Sequence, residues 1–237
     1  MTADDCPSPA SCPVPIPSTA LDPGRLRLEV IQTGRVICRS YQLVHGYDTF
    51  NPGVGDTRFA PLSADERTPI PTMYAGEDDA VALLESVFHD IHHQVPDRVV
   101  YYSIARRWGL AYVRVPRPLS LIDLRNDALT DLGLERGQIV TTQAEHYPCT
   151  RQWARWLYGQ SPGGVAPDGI LWHSRQAELH VGAAAREVLV LFGDRAPSQP
   201  GAYPLVGPGV RNLTEGLGRG LLERLAEDMG ARVEPDD

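Results

Sequence analysis

Five short apolar runs, separated by Gly- and Pro-rich breaks, constrain this chain more than any other feature. They lie at 99–104 (VVYYSI), 110–115 (LAYVRV), 119–124 (LSLIDL), 169–174 (GILWHS) and 187–192 (EVLVLF). Each has strand length, and the last is nearly all apolar, as a strand covered on both faces must be. Two further runs precede them. At 35–43 (RVICRSYQL), Ile37, Arg39 and Tyr41 alternate with Val36, Cys38 and Ser40, the period of a strand. A short strand is expected at 71–75. Helical patterns are few: 77–91, 127–133, 150–158 and 213–229. Many strands without regular strand–helix alternation predict an α+β fold and not a doubly wound parallel sheet. The 237 residues, 42% of them hydrophobic, suffice for one core. We therefore expect a single domain over 25–237 with a C-terminal helical tail, preceded by a flexible Pro/Ser-rich arm at 1–24.

The helix expected at 77–91 poses a question of charge. Ala80, Val81, Leu84, Val87, Phe88 and Ile91 form its apolar stripe, and Glu85 sits at the stripe's border. A carboxylate there either snorkels at a rim or faces a cleft, where partial desolvation strengthens its field. His89 and His92 follow at i+4 and i+7. This is not HExxH, and no nearby segment offers a further ligand, so no metal is expected. The long loop at 45–62 (HGYDTFNPGVGDTRFAPL) exceeds a simple turn and is a candidate carrier of function.

Composition narrows the chemistry. All 22 basic residues are Arg. The absence of Lys excludes a Schiff-base lysine and a lysine-dependent phosphate loop, so any bound anion must meet Arg, backbone N–H or hydroxyls. The net charge of −8 argues against direct nucleic-acid binding. No apolar run is long enough to span a membrane, and the acidic N-terminus lacks signal-peptide character, so a cytoplasmic location is expected. Cys6 and Cys12 lack usual metal spacing; with Cys38 and Cys149 they are expected as reduced, unligated thiols. No G-x-S-x-G elbow occurs.

Several segments, in order, resemble the RES domain family: CRSY (38–41), GDTRFAPL (55–62), PTMYAGEDDAVALLESVFHD (71–90), LIDLR (121–125), GILWHSR (169–175) and EVLVLFGDR (187–195). The resemblance covers about 35–195. It implies an ADP-ribosyltransferase-like fold, with two small mixed or antiparallel sheets around an NAD cleft and flanking helices. It implies cleavage of the nicotinamide–ribose bond of NAD+ by phosphorolysis or hydrolysis, in the toxin of a toxin–antitoxin pair. A protein ADP-ribosyltransferase or a catalytically silent binding module are the alternatives. Carried onto this chain, the family's catalytic residues are Arg39, Glu85 and Ser174, and Arg58 and Tyr74 match positions lining the cleft. Tyr147, ahead of a helix, is a further candidate. NAD+ would be a substrate and not a resident cofactor, with inorganic phosphate as a second substrate in the phosphorolytic case. An antitoxin would cover the cleft, and the pattern is compatible with a homodimer. Asp123 and His173 are expected to be structural.

The chemistry needs these residue types. Breaking the nicotinamide–ribose bond builds positive charge at the ribose, which a carboxylate such as Glu85 stabilises. A diphosphate suits the bidentate fork of Arg39 or Arg58. Tyr74 can stack on a ring or bond a hydroxyl, and Ser174 can orient a polar group.

Overall fold

In the computed structural model the described residues are 6, 9–17, 21–65, 68–91, 94, 96–180 and 185–235. Seven strands join in one mixed sheet: β1 (Leu28–Ile31), β2 (Val36–Gln42), β3 (Thr72–Gly76), β4 (Trp108–Arg114), β5 (Leu119–Asp123), β6 (Gly169–His173) and β7 (Glu187–Phe192). Their order is β1-β5-β6-β7-β3-β2-β4. Only β5 and β6 pair in parallel; every other neighbouring pair in this sheet is antiparallel. Two two-stranded ribbons, one of them Leu62–Ser63 with Pro69–Ile70, complete the α+β architecture. The strand β1, absent from the expectation, reads LEVI and is only partly buried at the sheet's edge, so its pattern is weak.

Alternation along the strands builds two cores. Cys38, Ile122, Ile170, Trp172, Val188 and Val190 face one side. Ile37, Met73, Ala75, Leu121, Leu171, Leu189 and Leu191 face the other. The apolar β7 lies centrally and contributes to both, which explains why its sequence does not alternate. The first face carries helices α1 (Asp79–Leu84), α2 (Tyr147–Tyr158), α3 (Arg175–His180) and α4 (Gly216–Asp228). Phe50 and Tyr203 pack on the second.

The run at 99–104 is a strand only over Val99–Tyr101, which pairs in parallel with Arg232–Glu234 apart from the large sheet, and Tyr102–Ala105 is helical. Two further expectations change. The helix at 77–91 ends at Leu84, so Glu85 is its C-terminal cap. Beyond it the regular bonding breaks: Ser86 N–H and Phe88 N–H both donate to the Leu83 carbonyl, at 3.1 and 3.0 Å. The Ser86 hydroxyl also donates to the Ala82 carbonyl at 2.7 Å, a side-chain competitor for the helical bond. The looser path buries Leu83 together with Phe88 and Ile91. Second, the described part of the 1–24 arm is docked on the domain. Val14 is buried, and Trp153 Nε1 on α2 donates to the Pro15 carbonyl at 2.6 Å. No helix among the described residues is long and apolar enough to cross a membrane.

Candidate active site

The strands β2 and β3 meet at one register pair, Cys38↔Gly76, and diverge beyond it. Gly76 allows this crossing: a Cβ there would lie 2.8 Å from Val81 Cγ1, so any side chain would push α1 off the sheet. A pocket of about 390 Å³ opens where the strands part. Arg39, Ser40, Tyr41 and Gln42 line it from β2, Thr72 and Tyr74 from β3, and Asn51 from the 43–61 loop.

Around Tyr74, side chains far apart in sequence come together on the α1 face. Glu85, half-buried at the end of α1, accepts a hydrogen bond at Oε1 from Ser174 Oγ at 2.6 Å. Ser174 is fully buried between β6 and α3. Its Oγ also accepts from Ala177 N–H at 3.0 Å, so one hydroxyl caps α3 and orients the carboxylate. No other hydrogen bond reaches the Glu85 carboxylate among the described residues, so Oε2 has no hydrogen-bond partner among them.

Tyr74 is held by its own hydroxyl, which accepts from Phe59 N–H at 3.1 Å and shares a hydrogen bond with Thr57 Oγ1 at 2.9 Å. Its ring meets Trp172 edge-on at 5.9 Å. Burial raises the phenol's pKa well above its ordinary value, and the charge of Glu85 adds to the rise, so the hydroxyl stays protonated. These bonds tie Tyr74 to the GDTRFAPL loop, which explains why two separated motifs belong together.

Arg58 lies on that loop. Its Nη1 donates to the Ile139 carbonyl at 3.1 Å and to Thr142 Oγ1 at 2.6 Å, and its Nη2 to the Thr142 carbonyl at 3.2 Å. The guanidinium sits 5.1 Å from the centre of the Tyr147 ring. Burial lowers its pKa, opposed by Tyr147 and Glu85. Tyr147 is buried at the start of α2, and its hydroxyl is 3.1 Å from His89 Nε2. Burial raises its pKa too. Five predicted residues, Glu85, Ser174, Tyr74, Arg58 and Tyr147, thus share one environment.

Arg39 stands apart. Strand alternation puts it with Ile37 on the face opposite Tyr74. Its guanidinium is buried and donates to the Tyr47 carbonyl at 2.6 Å and the Thr49 carbonyl at 2.5 Å. Desolvation lowers its pKa to about 10, with Asp48 opposing. Arg39 therefore clasps the loop that forms one wall of the pocket.

One cation escaped the sequence reading. Arg175, at the start of α3, acts electrostatically on both Arg58 and Tyr147. It forms no ion pair among the described residues. Its signal was its place directly after Ser174 in GILWHSR. Thr142, which holds Arg58, lies in an unremarkable loop and gave none. Asp123, expected to be structural, binds Arg125 together with Glu29 and Glu187. His92 lies outside the described residues.

Comparison with known proteins agrees with the motif reading. A family model described as RES domain matches residues 35–206. Among curated proteins none matches the chain. A solved structure titled as the M. tuberculosis MbcT–MbcA toxin–antitoxin complex contains a similar chain. It is 16% identical, with a TM-score of 0.49, over 79% of this chain and 91% of that one.

Proposed function

The chain belongs to the RES domain family, and from that premise we propose that it cleaves the nicotinamide–ribose bond of NAD+ and serves as the toxin of a toxin–antitoxin pair. One observation supports this reading: the 2.6 Å bond from Ser174 to Glu85, in one environment with Arg58, Tyr147 and Tyr74, of which Tyr74 also lines the pocket between β2 and β3. A carboxylate fixed through one oxygen, with the other unbonded among the described residues, suits a reaction that develops positive charge on a sugar ring.

In this reading NAD+ lies in the opening with its nicotinamide ribose toward Glu85. The Glu85 carboxylate stabilises the oxocarbenium-like charge at the ribose C1′ as the bond to the nicotinamide nitrogen breaks and its electron pair leaves with nicotinamide. Water or phosphate then bonds to C1′, giving ADP-ribose or its 1-phosphate. Ser174 holds Glu85 in place. Tyr74 and Tyr147 offer ring faces to the substrate's rings. Arg175, with no acidic partner among the described residues, meets the diphosphate or the incoming phosphate. Leu43, Val44 and Val54, exposed on the 43–61 loop beside the pocket, supply the apolar rim that an antitoxin would cover.

The test is NAD+ consumption by the purified protein with and without inorganic phosphate, with products read by mass spectrometry. ADP-ribose 1-phosphate formed only with phosphate establishes a phosphorylase; ADP-ribose formed without it establishes a glycohydrolase. An intact NAD+ pool with a folded protein overturns both, and label transferred from NAD+ to an added protein identifies a transferase.

A further inference from the structure

We infer that Cys6, Cys12, His146 and Cys149 form a structural zinc site that pins the N-terminal arm to the start of α2. Spacing does not join these residues, because more than half the chain separates the first pair from the second. In the fold their ligand atoms all lie within 4.8 Å of one another. Cys12 Sγ is 3.5 Å from His146 Nδ1 and 3.6 Å from Cys149 Sγ, and Cys6 Sγ is 4.0 Å from His146 Nδ1.

The two Cys12 separations match the edges of a zinc tetrahedron, and the Cys6–His146 separation is about 0.5 Å longer. Zn–S bonds of about 2.3 Å and Zn–N bonds of about 2.0 Å give S···S edges of about 3.8 Å and S···N edges of about 3.5 Å. The donors are three thiols and an imidazole, a ligand set typical of closed structural zinc sites. A disulfide is a poorer description, since a bonded pair requires sulfurs about 2.05 Å apart, and Cys12 Sγ and Cys149 Sγ are 3.6 Å apart.

The surroundings fit as well. His146 and Cys149 are buried, three residues apart across the entry to the 12-residue α2, so one turn presents both donors. Cys6 and Cys12 lie on either side of a short 3-10 turn, Pro9–Ser11, and both sulfurs approach His146 at the start of α2. His146 turns Nδ1 toward the sulfurs, and its Nε2 lies 3.3 Å from the Glu145 carboxylate. A carboxylate on the far nitrogen is the usual partner of a metal-bound imidazole, fixing its tautomer and raising its basicity. Zinc binding would displace three thiol protons and leave three thiolates and a neutral imidazole around a divalent ion. That centre carries one net negative charge, which the N-terminus of α2 favours.

The site's place gives it a purpose. Tyr147, between the two helix ligands, turns into the candidate active site, and Thr150 Oγ1, one residue past Cys149, donates to the Arg58 carbonyl at 2.5 Å. Zinc would brace the wall that carries Tyr147 and Arg58, without touching the reacting atoms.

The decisive experiment is metal analysis of the full-length protein, purified under reducing conditions without chelator and then supplied with zinc. We expect one zinc per chain, lost in Cys12→Ser and in Cys149→Ser and kept in Cys38→Ser, whose thiol lies outside the cluster. Cobalt exchanged into the wild type should show the intense visible bands of tetrahedral thiolate coordination, a readout that needs no variant to fold. Chelator should lower Tm in the wild type and in Cys38→Ser, and leave it unchanged in Cys12→Ser and Cys149→Ser. Zinc no higher than in Cys149→Ser, iron in its place, or an intact mass showing an oxidised cysteine pair overturns the proposal. None of these readouts depends on NAD+ cleavage, so the site and the proposed activity can fail separately.

Discussion

Two regions on opposite faces of the sheet hold their charges in opposite ways, and of their charged groups Arg39 is the one that lines the pocket between β2 and β3. On the α1 face, Glu85 is anchored through one oxygen only, and Arg175 has no ion-pair partner among the described residues. On the other face, Arg39 is buried with both terminal nitrogens bonded to loop carbonyls. The first region leaves hydrogen-bonding capacity unused; the second uses its cation to hold the loop that lines the pocket. A family motif names Arg, Glu and Ser together, but the structure separates the arginine from the other two. The difference poses a question that mutagenesis answers: whether Arg39 meets a ligand or only shapes the pocket it lines.

The largest expected effect is at Glu85. Glu85→Gln keeps the shape and the hydrogen bond from Ser174 but removes the charge. Loss of a preorganised electrostatic stabiliser typically costs about 10²–10³ in kcat, so we expect turnover of NAD+ to fall by that order while Tm is unchanged. Unaltered turnover would remove Glu85 from the chemistry.

Arg39→Ala tests the opposite region. Removing the guanidinium leaves the Tyr47 and Thr49 carbonyls without their partner, a loss of about 2–4 kcal/mol for a buried charged donor with two acceptors. Urea unfolding should show that loss, with KM for NAD+ raised as the loop relaxes and kcat largely retained. A collapse of kcat with stability intact would place Arg39 on the substrate and break the comparison.

Much of this was legible beforehand because the signals were local. The alternation of Ile37, Arg39 and Tyr41 predicted their shared face, and the apolar EVLVLF run predicted a strand covered on both sides. Glu85 was found from its motif, but its position at a helix end was not, since the break depends on the Ser86 hydroxyl and on burying Leu83, both tertiary effects. Arg39's engagement with carbonyls left no trace in residue types, because every residue has a carbonyl. The convergence of Cys6 and Cys12 on His146 and Cys149 was hidden for a related reason: metal-ligand spacing is informative only within one segment.

Ser174→Ala is expected to have a smaller, mixed effect. The hydroxyl caps α3 and also orients Glu85, so its loss should cost about 1 kcal/mol of stability, typical of a helix cap. Turnover should fall roughly tenfold, as one hydrogen bond of about 1.4 kcal/mol in the transition state requires. Ser174→Thr, which keeps the hydroxyl, should recover part of the turnover. Recovery of stability without turnover would make Ser174 a cap alone and detach it from Glu85.

Arg175→Ala is the smallest and the most discriminating change. Arg175 is half-buried on α3, adjacent to the cap residue, with no ion pair to lose among the described residues, so stability should move by no more than about 0.5 kcal/mol. Its value would appear only with an anion present. A single charge-assisted contact of about 1.5 kcal/mol corresponds to roughly a tenfold rise in KM. If the cation meets the NAD+ diphosphate, KM for NAD+ rises at every phosphate concentration. If it meets the attacking phosphate, KM for phosphate rises and that for NAD+ does not. Arg175→Lys should restore part of either effect, since charge matters in both but the bidentate fork does not survive. Unchanged constants for both substrates would show that the α1 face holds no working cation there, and that Glu85 alone distinguishes it from the face of Arg39.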